Sequence, residues 1–180
     1  MKQELLGAGL VLLLMMGCQF VNADAPSCTF TRVPVVSTDE KQNEYYVARG
    51  RAFAIQFQNE DAPNPAKVFP EPKVIIANTC AHSRCEITGE PGIWSGDDVY
   101  LNDAESVVLL NEYGGSNAFL KLFDTATCGR IAELDVSGKL WKISGSTLLT
   151  GARCSGDTVE SCQDKSTISL NAYCRATKKK

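Results

Sequence analysis

The strongest constraint on this chain is a series of short apolar runs broken by turn residues between Ser106 and Cys154. Run 106–113 ends at Gly114-Gly115-Ser116-Asn117, and run 118–123 ends at the polar stretch 124–130. Run 131–136 ends at Ser137-Gly138-Lys139, and Leu140–Ser144 ends at Gly145-Ser146. Each run has the length of a strand and is too short for a typical helix. Turn signals recurring about every 8–12 residues predict an antiparallel meander in a sandwich or barrel.

Patterning then sorts the runs. In 131–136, Ala132, Leu134 and Val136 alternate with Glu133 and Asp135, the signature of a strand with one dry and one wet face. Phe119-Leu120 and Leu122-Phe123 are apolar on both faces, which predicts a central strand covered from both sides. Lys121, between them, then needs a partner or a route to water. Further strands are expected over 28–36, at an edge or bulge because of Pro34, and over 45–48, 51–57, 73–80, 99–101 and 166–173. Residues 89–92 and 95–98 read as turns. Residues 58–73 carry Pro63, Pro65, Pro70 and Pro72 and read as a long, stiff surface loop. Within it Phe69 either folds back onto the core or serves as an exposed contact. No helix is predicted. The expected fold is all-β: a single antiparallel sandwich or small barrel, stabilised by disulfides.

The chain opens with a Leu/Met-rich run, Leu5 to Met16, behind Lys2. It is too short to span a membrane comfortably and suits the core of an export signal over residues 1–23. Val21-Asn22-Ala23 offers small residues for ordinary cleavage before Asp24. Leu14-Met15-Met16-Gly17-Cys18 resembles a bacterial lipobox, which implies a lipid on Cys18 and a membrane-surface location. Residues 24–174 form the expected single β-rich domain, and 175–180 a basic disordered tail. The formal charge of −3 argues against a nucleic-acid binder.

Beyond the signal stand seven cysteines: Cys28, Cys80, Cys85, Cys128, Cys154, Cys162 and Cys174. An exported chain with this content is expected to be disulfide-bonded, with one thiol left over because seven is odd. The spacing suggests Cys80–Cys85 across a hairpin mouth, Cys154–Cys162 clipping the polar loop 155–161, and Cys28–Cys174 tying the ends together.

Little in the sequence points to catalysis. His82 is the single histidine, and no G-x-S-x-G elbow is present, so no catalytic residues are assigned. Cys80, His82 and Cys85 offer three soft ligands within six residues, but thiols in an oxidising compartment favour a disulfide over a metal. No cofactor or metal is expected. The sequence therefore predicts an exported, non-catalytic binding module in the periplasm, on the outer membrane or secreted. It would meet an unknown protein or envelope surface through Phe69, His82 and Arg84. The alternatives are a secreted inhibitor that plugs a hydrolase cleft with residues 81–84, or a small Cys/His metal-binding protein.

Overall fold

The computed structural model describes residues 28–70, 73–89 and 92–175. The expected export signal, Cys18 and residues 176–180 of the basic tail lie outside them. The strands run β1 (Phe30–Arg32), β2 (Val35–Ser37), β3 (Tyr45–Arg49), β4 (Phe53–Gln58), β5 (Val68–Pro70), β6 (Val74–Asn78) and β7 (Ser83–Ile87). Then come β8 (Ile93–Asn102), β9 (Val107–Gly114), β10 (Asn117–Asp124), β11 (Arg130–Asp135), β12 (Leu140–Ser144), β13 (Thr147–Cys154) and β14 (Cys162–Ser169). A short helix, α1 (Asn171–Arg175), follows.

The fold is nearly all β, in three antiparallel sheets. The central sheet has the order β1-β8-β9-β10-β11, with β5 also paired to β8. A five-stranded sheet, β2-β3-β4-β6-β7, covers one face, and a three-stranded sheet, β12-β13-β14, covers the other. Strand alternation explains this layering. In β9, Val108 and Leu110 enter the first core beside Ile55, Phe57 and Ile76, while Val107 and Leu109 enter the second beside Leu148 and Leu170. β10 does the same with Phe123 on one side and Leu120 and Leu122 on the other. The doubly apolar run in the sequence is thus the middle of a three-layer stack. Lys121 is buried there and pairs with Glu112 and Glu133.

Several elements differ from the sequence expectation, each for a physical reason. The expected strand 28–36 is two strands, because Pro34 marks where the chain leaves the central sheet and enters the five-stranded one. Within 58–73, residues Val68–Pro70 pair with β8, since Phe69 has an aromatic slot to fill. Residues 95–98 belong to β8 and absorb a register shift against β9 instead of turning the chain. The last strand starts at Cys162 and ends at Ser169, and α1 takes the residues expected to extend it.

Three disulfides between described residues staple the stack. Cys28–Cys174 and Cys154–Cys162 join the pairs that the spacing suggests. The expected Cys80–Cys85 bridge does not form: Cys85 bonds to Cys128, 43 residues away. Cys85 sits in β7 opposite Ile76 and packs against the first core, whereas Cys80 lies in the exposed turn beyond Asn78. The expected leftover thiol is absent too, since no free cysteine occurs among the described residues.

Candidate functional site

The side chains nominated from the sequence do not converge. Phe69 is fully buried, stacked on Phe57 with ring centroids 4.9 Å apart and tilted against Tyr46 at 5.2 Å. It is a core residue, not a binding-loop contact. His82 and Arg84 are exposed at the β6–β7 turn, where His82 adopts a left-handed φ of 52°. Asn78 fixes that turn by accepting hydrogen bonds from the Cys80 and Ala81 amides at 3.0 and 2.8 Å. The disulfide on Cys85 removes it from the Cys80, His82, Cys85 ligand set.

A concavity lies elsewhere, at the end of the central sheet where β9 turns into β10. Gly115 and Ser116 form a two-residue turn closed by the Gly114–Asn117 pair, with Gly115 at a φ of 64° that favours glycine. Eight register pairs join β9 to β10, so the tip rests on rigid backbone. Beside it a groove of about 620 Å³ runs between the tip and β12, lined among others by Asp98, Tyr100, Tyr113, Lys139, Trp141 and Lys142. The volume lies within the range of about 300–1,000 Å³ common for ligand sites.

Next to the groove an apolar row crosses the sheet. Pro70 pairs with Ile93, Ile93 with Tyr113, and Tyr113 with Ala118, so register places all four on one face. This is the face that the three-stranded sheet covers further along, but here that cover has run out. Ile93 and Tyr113 remain 38% and 39% exposed, and Val68 on the same short strand as Pro70 is 49% exposed. A contiguous apolar patch bordered by polar groups marks an interaction surface more than a scatter of single residues does.

Electrostatics at the groove centre on Asp98 and Tyr100. Burial, and then the Asp98 carboxylate, push the Tyr100 phenol above its usual pKa, with Arg32 opposing. Tyr100 meets Trp141 edge to face at 6.3 Å. A second, smaller hollow is lined by Arg49, Arg51 and Glu105, whose carboxylate accepts hydrogen bonds from the amides of Arg51, Ala52 and Phe53 at 2.6, 2.8 and 3.2 Å. That carboxylate ties the β3–β4 turn to the β8–β9 turn. Sequence reasoning passed over Tyr113 and Ile93 and read Asp98 as a solvated turn carboxylate, because only the register shift in β8 brings the three together.

Comparison with known proteins adds the context. A family model described as "Immune protein Tsi1" matches residues 28–174. The chain is 35% identical over 161 residues to the immune protein Tsi1 of Pseudomonas aeruginosa, an alignment covering 88% of this chain and 92% of that relative.

Proposed function

The chain belongs to the immune protein Tsi1 family, and from that premise we propose that it is a non-catalytic inhibitor that protects its host by binding a toxic enzyme. Three disulfides fit an exported protein that folds in an oxidising compartment, the periplasm for a bacterial cell. The partner is a protein, and the action is occlusion.

The observation that carries this reading is the exposed row Pro70, Ile93 and Tyr113 beside the β9–β10 tip. A rigid turn flanked by exposed aromatic and aliphatic side chains suits entry into a cleft, with the apolar row sealing its rim. The sequence suggested a loop plug at residues 81–84; the geometry favours residues 114–117 instead. The family name favours a protective inhibitor over a general envelope-binding module.

The test is genetic and then biochemical. Deleting the gene should leave the host sensitive to its parent strain in mixed culture, and re-expressing the exported protein should restore survival. A Tyr113→Ala, Ile93→Ser double variant that reaches the same compartment should not. Equal protection by that variant would remove this surface from the reading, and an insensitive deletion strain would remove the protective role.

A further inference from the structure

The groove beside the β9–β10 tip has one acidic group and three aromatic ones. Asp98 is the single carboxylate among its lining residues, and Tyr100, Tyr113 and Trp141 are the aromatics. Asp98 Oδ2 accepts hydrogen bonds from Ser95 Oγ at 3.0 Å and from Asn111 Nδ2 at 2.9 Å. The same Asn111 Nδ2 donates to the Tyr113 hydroxyl at 2.8 Å. One fully buried amide therefore fixes both the carboxylate and the phenol.

That amide is expensive for the fold. Asn111 follows Val107 and Leu109 on the inner face of β9, and its Oδ1 is buried with no hydrogen-bond partner among the described residues. Packing alone would favour an aliphatic residue there. Asn111 is explained by what it holds in place, the acidic and aromatic lining of the groove.

Asp98 keeps one oxygen unused: Oδ1 accepts no hydrogen bond among the described residues. The neighbouring cations are committed elsewhere. Arg32, opposite Tyr100 in the β1–β8 register, donates to the carbonyl of Asp97 at 2.5 Å and faces its carboxylate at 3.5 Å. Lys142 pairs with Glu160, and Lys139 donates to the Asp135 carbonyl at 3.2 Å.

We infer that the Asp98 end of this groove receives an arginine side chain of the protein partner, its guanidinium on Asp98 Oδ1 and its plane against Tyr100, Tyr113 or Trp141. A guanidinium is flat, weakly hydrated and able to satisfy a carboxylate and stack on an aromatic face together, which a lysine ammonium does less well. The inference rests on the binding reading above and specifies the chemistry of the same surface.

It is tested on the purified, oxidised protein without any partner. N-acetyl-arginine amide is titrated while the Trp141 indole N–H resonance is followed by NMR, with N-acetyl-citrulline amide as the neutral isostere. The arginine probe should give a saturable shift at Trp141 and Tyr113 and the citrulline probe should not. Asp98→Asn should weaken binding at least ten-fold, whereas Asp98→Glu, which keeps the charge, should stay within about three-fold. Equal behaviour of the two probes, shifts scattered over the acidic surface, or an Asp98→Asn protein that binds as well as wild type would each overturn the inference. Because no toxin enters this titration, it can fail while host protection succeeds, and the reverse.

Discussion

Lys121 and Glu112 form an ion pair inside the protein, between the central and five-stranded sheets, with side chains 5% and 4% exposed. Glu133 approaches the same ammonium at 3.6 Å, and the Trp94 ring lies 5.9 Å from it. Removing one member leaves the other charge buried. Lys121→Met should therefore lower unfolding free energy by about 3–5 kcal/mol in denaturant titrations. The double variant Lys121→Met, Glu112→Leu should recover most of that loss, because two apolar side chains need no counter-ion.

Glu105 predicts an acid-sensitive step. Burial acts to raise its pKa but is outweighed by the amides of Ala52, Arg51 and Phe53 and by the Arg51 side chain, so the carboxyl lies below its ordinary value. Folding thus holds Glu105 ionised more firmly than the unfolded chain does. Its contribution is fully present above the unfolded pKa, near 4.5, and is lost as pH falls through the lower folded value. Glu105→Gln should flatten the stability profile below about pH 4.5 relative to wild type, as read from urea midpoints.

The cross-link between β7 and the β10–β11 turn is the easiest feature to check directly. Non-reducing peptide mapping should recover Cys85 joined to Cys128. Replacing both by alanine should cost about 4 kcal/mol on the chain-entropy estimate for a loop of this length. It should leave the far-UV spectrum β-rich.

Gly151 has no room for a methyl group. A Cβ there would lie 2.5 Å from Cys162 Sγ, half of a bridge that cannot swing aside. Gly151→Ala should lower stability by about 1–3 kcal/mol and broaden NMR signals around β13 and β14.

At the proposed interface, Tyr113→Ala and Ile93→Ala should each weaken the complex ten-fold or more while leaving the melting temperature within a few degrees. Both side chains are partly in water already, so truncation removes partner contacts and little core.

Local signals carried much of the architecture. The turn residues at 115–116, 137–139 and 145–146 fall between observed strands, with Gly114 and Asn117 closing the first turn as the ends of β9 and β10, and the two-faced apolar runs of β9 and β10 mark the central sheet. Long-range relations were hidden. Nothing near Cys85 points to Cys128, because that choice depends on which layer each strand joins. Phe69 sits in a proline-rich segment whose local chemistry says loop, while Phe57 and Tyr46, distant in sequence, make it core. The groove was illegible for the same reason: Asp98 looked like a turn residue until the shifted register of β8 set it beside Asn111.

The Cys28–Cys174 bridge also sets an orientation. Asn102, at the far end of β8, donates to Cys174 Sγ, so both ends of the described chain gather at the β8–β9 turn. The eight residues of β9 carry the chain from there to Gly114, roughly 25 Å at strand rise. A bead, dye or surface fastened at either end would thus leave the opposite pole unobstructed, and immobilised protein should capture its target whichever end is held.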